Sequence, residues 1–147
     1  HGNIREILKH EMKPGSIQFH HPSALVEGIE RLDISKDARM SDAVISNNTV
    51  YLSGQVPKDF DVDFSTQVSQ TLEKVDVLLE KSGSSKSHIL SAQLWIRDME
   101  DFAEMNEIWN SWIDPENKPA RACVEAPMAH PNIRFEAMIT AVISSSS

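Results

Sequence analysis

Cysteine is nearly absent from this 147-residue chain: Cys123 is the only one. That excludes an internal disulfide and fits a reducing compartment, pointing to a cytoplasmic protein. Long hydrophobic runs are absent too, and none approaches the ~18–20 residues of a membrane span. The opening stretch HGNIREILKHEMKPG has no apolar segment of the kind a secretory signal carries. Positive charge is scarce: 14 Lys and Arg stand against 22 Asp and Glu, a net charge of −8, and no Lys/Arg cluster is visible. Nucleic-acid affinity comes largely from Lys and Arg contacts to phosphates, so a nucleic-acid partner is not expected. His1, His10, His20, His21, His88 and His130 show no HExxH or comparable ligand spacing, which argues against a metal site. GxGxxG, Walker and GxSxG motifs and internal repeats are also missing.

What remains is an ordinary globular composition, 40% apolar and 24% charged, in a chain long enough for one domain with a real core. Residues 1–28 read as an N-terminal appendage. Ile4, Ile7, Leu8 and Met12 give one apolar face, and Pro14-Gly15 stops it. Residues 29–147 form the body. Glu30 to Ser35 alternates, with Leu32 and Ile34 on one face, and predicts a strand. Ala43–Ser46 and Thr49–Ser53 flank Asn47-Asn48, a turn pair tolerant of left-handed geometry, and predict a hairpin. Asp63 is an expected N-cap, with Gln67 near the matching capping position. Phe64, Val68, Leu72, Val75 and Leu79 then trace an amphipathic helix that Ser82-Gly83 ends. His88 to Ile96 predicts a strand. Met99 to Ile113 predicts a second helix, with Phe102, Met105, Trp109 and Trp112 or Ile113 as its buried stripe. Ala120 to Glu125 and Ile133 to Ile143 are the last strands.

The order βββαβαββ implies an α+β fold, with two helices on one face of a sheet. Two helices cover only one face, yet the last strand, from Ala137 to Ile143, is apolar on both alternating faces. A strand of that kind wants both faces covered, which predicts association through the second face.

Candidate chemistry centres on PARACVEAPMAHPNIRFEAMIT, Pro119 to Thr140. Arg121 and Glu136 stand on what read as two neighbouring strands. Arginine can clamp a small anion with its planar fork, and a carboxylate can manage a proton on a water. A structural ion pair would explain the same two residues. Ser53-Gly54 falls at a strand end where backbone N–H groups could hold a carboxylate, or it is a plain strand exit. Asn106 points into a pocket or lies on a solvated helix face. Cys123 shares a strand face with Arg121 and is favoured as a buried small side chain, since no histidine stands where it would activate a thiol. The aromatic stripe of Phe102, Trp109 and Trp112 is favoured as core.

Together, VYLSGQVP, FSTQVSQTLEKVDVLLEKSGSSKSHIL, FAEMNEIW, PARACVEA and IRFEAMITAV resemble the YjgF/RidA family of imine/enamine deaminases, over residues 30–145. The second helix and its tryptophans are most similar to the YoaB-like branch. The resemblance implies the chorismate-mutase-like, or bacillus-type, fold. It also implies a homotrimer in which three sheets close a central β-barrel and three ligand clefts lie between subunits. The implied activity is hydrolysis of reactive 2-imino or enamine acids to 2-keto acids and ammonia, without a cofactor. By position, Arg121 would grip the substrate carboxylate and Glu136 would position water. Ser53, Gly54, Asn106 and Cys123 match cleft positions. Met40 aligns with a family tyrosine and cannot hydrogen-bond as a phenol does, and Pro127 also departs from the family pattern. Met40 favours the alternative of a non-catalytic trimer that binds a small carboxylate in a regulatory role. An endoribonuclease or translation inhibitor, activities ascribed to some family members, is opposed by the charge. A protein-binding role for residues 1–28 is the fourth reading.

Overall fold

A computed structural model describes residues 26–144. Most of the expected N-terminal appendage lies outside the described residues. The body opens with three short antiparallel strands, β1 (Ile29–Leu32), β2 (Ala43–Ser46) and β3 (Thr49–Leu52). Asn47 and Asn48 both take positive φ, 49° and 65°. That pair of left-handed residues gives a two-residue turn whose twist matches the strands it joins, and asparagine tolerates it.

Helix α1 (Phe64–Lys81) begins where the Asp63 carboxylate accepts the Thr66 N–H at 2.8 Å. It ends in a Schellman motif. Gly83, at φ 81°, donates to Glu80 O, and Ser84 N donates to Leu79 O. Gln67 departs from the expected capping role. It is fully buried, and its amide donates to Phe60 O and Asn132 O while accepting from Arg134 N at 2.8 Å. Among the described residues no other donor reaches these loop carbonyls, and a long amide reaching sideways satisfies them where a short cap could not.

Strand β4 (Ile89–Ile96), helix α2 (Phe102–Trp112), β5 (Ala120–Glu125) and β6 (Phe135–Val142) complete the βββαβαββ order. The six strands make one mixed sheet in the order β1-β2-β3-β6-β4-β5. Only β4 and β5 are parallel. A single core cluster joins Phe64, Val68, Leu72 and Leu79 of α1 and Met105 and Trp109 of α2 to Leu94, Phe135 and Ile139 of the sheet. Burying each such large side chain contributes roughly 1.5–3 kcal/mol.

Three details differ from the sequence expectation. Strand β1 ends at Leu32, and Ile34 is exposed in the connection that follows. Phe102 is also exposed, because it is the first residue of α2 and lies beyond the edge of the sheet-facing stripe. The strands carrying Arg121 and Glu136 are not neighbours, since β4 runs between them and pairs with both.

The second sheet face carries Tyr51, Met138 and Val124, each close to half exposed, with Trp95 and Val142 partly covered. No helix among the described residues is long and apolar enough to cross a membrane.

Replacing Gln67 with Leu keeps the volume but leaves two carbonyls and one N–H buried without partners. At about 1–3 kcal/mol per stranded group, Gln67→Leu should lower unfolding free energy by roughly 3 kcal/mol. Equilibrium urea denaturation checks this, with Ser69→Ala on the exposed side of α1 as the comparison.

Candidate functional site

Strands β3 and β6 pair regularly as far as Tyr51 opposite Thr140, and pairing resumes at Gln55 opposite Ala137. Four steps on one side match three on the other, so the Ser53-Gly54 stretch holds one extra residue, a β-bulge. Gly54 comes directly against Glu136. A Cβ placed on Gly54 would collide with Glu136 Oε2 and stand 3.4 Å from Cδ. The absent side chain is therefore the space the Glu136 carboxyl occupies. Opposite Glu136 on β4 is Trp95, on the same sheet face. Burial pushes the Glu136 carboxyl above the ordinary glutamate range. Among the described residues, no donor or cation pairs with it.

Arg121 faces the other way. It is in register with Ala92, which pairs onward with Ile139 on the helix-covered face. Its guanidinium lies over the Trp109 ring of α2, 5.4 Å from the centroid. No carboxylate among the described residues pairs with it. Asn106, one turn before Trp109 on α2, has a buried Oδ1 with no hydrogen-bond donor. Cys123, two residues along β5 from Arg121, is half-buried against the core. Burial raises its thiol pKa and the Arg121 charge offsets only part of that, so the thiol form is favoured over a nucleophilic thiolate.

The sequence-selected residues thus separate into two groups. Arg121, Cys123 and Asn106 gather where edge strand β5 meets α2. Glu136 and Gly54 stand at the bulge on the opposite sheet face. Ser53 is beside them, but its hydroxyl is engaged: it donates to Asp42 O at 3.3 Å and accepts from Gln55 Nε2 at 3.1 Å. Met40 stands half exposed two residues before Asp42, at the same end of the sheet. A structural ion pair between Arg121 and Glu136 within one chain is ruled out by their opposite faces. Sequence reasoning missed Trp95, although its alternation with Gln93 and Ser91 already assigned it to the less buried face. It also treated Trp109 as core alone, when the ring carries the Arg121 guanidinium as well.

A family model described as Endoribonuclease L-PSP matches residues 31–143. The chain belongs to this family. It is the YjgF/RidA family of the sequence resemblance. The chain is 42% identical to the RutC family protein YoaB of Escherichia coli over 75% of its length and 96% of that protein. It is 41% identical to a RutC family protein of Haemophilus ducreyi over 79% of its length and 97% of that protein. A crystal structure of a YjgF-family member from Neisseria meningitidis superposes with a TM-score of 0.76 at 40% identity, covering 80% of this chain and 97% of that one. The chorismate-mutase-like α+β fold expected from sequence is the fold observed.

Gly54→Ala should push the Glu136 carboxyl out of its seat toward water. Its titration midpoint, followed by carboxyl carbon NMR, should start above the ordinary glutamate value in the wild type and fall toward it in the variant. Unchanged midpoints would show that Gly54 does not set the burial of Glu136.

Proposed function

We propose that this member of the YjgF/RidA family hydrolyses reactive 2-imino acids to 2-keto acids and ammonia, at clefts between subunits of a homotrimer. The observation that carries the reading is that, among the described residues, the half-buried Glu136 carboxylate and the buried Asn106 Oδ1 have no hydrogen-bond partner, while the exposed Arg121 guanidinium rests on Trp109 with no carboxylate beside it. Buried or half-buried polar groups are ordinarily satisfied, and leaving Glu136 and Asn106 open beside an unneutralised cation suits a ligand that supplies the missing contacts.

Arg121 and Glu136 face opposite sides of one sheet, so a complete cleft draws Arg121, Asn106 and Cys123 from one copy and Gly54 and Glu136 from its neighbour. The half-exposed Tyr51, Met138 and Val124 on the second sheet face support association of copies in that arrangement. In the proposed reaction, Arg121 holds the substrate carboxylate through two parallel N–H donors. The Glu136 carboxylate orients a water and accepts its proton as oxygen bonds to the iminium carbon. The C=N electron pair moves to nitrogen, giving a carbinolamine. Glu136 then returns the proton to nitrogen, and as the C–N bond breaks and ammonia leaves, the regenerated Glu136 carboxylate takes the hydroxyl proton and the carbonyl forms. The iminium carbon is already electrophilic, so orientation and one proton relay suffice and no covalent nucleophile is required. The high-pKa thiol of Cys123 is compatible with that.

A second reading rests on Met40. Where the family tyrosine would supply a hydroxyl, this chain presents a half-exposed thioether, and a carboxylate-binding trimer without turnover needs only the Arg121 side of the cleft. An endoribonuclease reading comes from the family description alone, and the net charge of −8 opposes it.

The deciding experiment is coupled hydrolysis of 2-iminopropanoate and 2-iminobutanoate generated in situ. Arg121→Ala should cost on the order of 2–4 kcal/mol of transition-state stabilisation, roughly 30- to 1000-fold in kcat/KM. Wild type at the uncatalysed rate, with 2-keto acids still bound, would establish the regulatory reading instead. RNA cleavage by nuclease-free protein that is lost in Glu136→Gln would replace both.

The pH profile has a defined sign. Desolvation favours the protonated carboxyl, so Glu136 favours the fold most at pH below the ordinary glutamate pKa, and that contribution is lost as pH rises through the raised value. Activity needs the carboxylate and runs the other way. It should climb with pH through a midpoint above the ordinary glutamate range, and Glu136→Gln should remove that limb.

Met138→Lys, which charges the open sheet face, should dissociate the assembly in size-exclusion chromatography with light scattering. Val77→Lys on α1, equally exposed on the other side, should leave it intact.

A further inference from the structure

Helix α1 packs on β6 and β3, and the inward residues Leu32, Ala43 and Ile45 of β1 and β2 are buried in the same core. At the margin of that core a recess of about 440 Å³ opens between α1 and the β1–β2 connection. It includes neither Arg121 nor Glu136. We propose that this recess is a second ligand site, for a small monocarboxylate with a branched apolar body.

The charge pattern selects an anion. Lys58 and Lys74 both line the recess, in a chain of net charge −8. Among the described residues, no carboxylate lies within ion-pair distance of either. Lys74 projects from α1 and is half-buried, and burial pulls its pKa down while the Asp42 carboxylate pulls it back up. A bound carboxylate would give the partly desolvated ammonium a partner at ion-pair distance, which Asp42, acting from farther away, does not. The same wall limits the charge of the ligand. Asp42 and Glu73 also line the recess, and Asp42 is held in place by accepting the Ser35 N–H at 2.7 Å. Lys81 lines the recess as well, so three lysines and two carboxylates give a formal excess of one positive charge, which suits one added negative charge better than a phosphate dianion.

The apolar surface selects the rest of the molecule. Ile34 and Val77, both exposed, and the buried Leu78 form an aliphatic lining suited to a branched hydrocarbon. The volume lies within the usual ~300–1,000 Å³ of small-molecule pockets. The walls are also fixed in advance. Asp59 N donates to Gln70 Oε1 and Gln70 Nε2 donates to Asp59 Oδ2, both at 2.9 Å, which pins the loop carrying Lys58 to α1. A loop held this way loses little entropy when a ligand arrives.

The recess backs onto the bulge. Gln55 lines it, donates through its amide to Ser53 O and Oγ, and pairs through its backbone with Ala137, next to Glu136. Its chain neighbour Gly54 seats the Glu136 carboxyl from the other sheet face. The binding site itself does not depend on the deaminase reading.

The test is an amide NMR titration of the full chain with 4-methylpentanoate, which has the carboxylate and the branched body but no 2-imino or 2-keto group. Saturable shifts centred on Lys74, Val77 and Gln55 are expected. Lys74→Met and Lys58→Gln should each weaken binding by about tenfold, the loss of one charge-assisted contact. Arg121→Ala should leave the recess shifts unchanged. Circular dichroism and melting temperature confirm that each variant is folded, and Lys58, being exposed, serves if Lys74→Met is not. Absence of shifts at the recess, or wild-type affinity in both lysine variants, overturns the proposal. Equal binding of 4-methylpentanol removes the carboxylate requirement and overturns it as well, and preferential binding of inorganic phosphate does the same.

Discussion

Strand β6 is hydrogen-bonded along both edges, to β3 on one side and β4 on the other, and the rest of the molecule is hung on that pairing. Its inward residues Phe135, Ala137, Ile139 and Ala141 are fully buried and receive α1. Its outward residues, Glu136, Met138 and Thr140, form the centre of the face that no helix among the described residues covers. Because side chains alternate strictly along a strand, fixing the inner set against α1 fixes the outer set at the same moment, and a slip of one residue would turn Glu136 into the core. The extra residue at Ser53-Gly54 adds the one local irregularity. It lets the chain pass close over Glu136 without a side chain in the way, while Gln55 re-enters the ladder beyond it.

The same alternation divides the chemistry. Arg121 is in register with buried Ala92, so it must emerge on the helix side, at the outer edge of the sheet where α2 meets it with Trp109. Glu136 is in register with Trp95 and must emerge on the opposite side. Neither orientation can change without unpairing the sheet. Under the proposed function, a second copy brings the halves together, and the half-exposed Tyr51, Met138 and Val124 give that copy its apolar contact. The division also separates the helix-side recess at Lys58 and Lys74 from the Glu136 carboxyl by the thickness of the sheet, with Gln55 bonded on one side and Gly54 packed on the other.

Much of this was legible in the sequence where local chemistry acts alone. Asn47-Asn48 forced left-handed geometry, Asp63 capped α1, and Ser82-Gly83 ended it, since each depends on a few adjacent residues. The periodic apolar stripes of α1 gave its buried face for the same reason. Misreadings fell where a long-range partner decided. Gln67 lies one position past the matching cap and was drawn inward by loop carbonyls as distant in sequence as Asn132. Phe102 fitted the stripe but stands exposed as the first residue of α2. Trp109 fitted the stripe and also carries Arg121, a contact between residues that only the β4–α2–β5 crossover brings together.

By itself the sequence determined the element order, the turns and caps, the apolar faces, and the residue types available for a carboxylate clamp and a proton relay, because periodicity and backbone preference are short-range properties. Tertiary structure alone decided that β4 separates the strands of Arg121 and Glu136, and that these residues face opposite sides. It also decided that Gly54 is the space in which the Glu136 carboxyl sits, and that Lys58 and Lys74 share one recess. Strand order and register are set by how all six strands and two helices bury their apolar area at once, and no local stretch of chain contains that information.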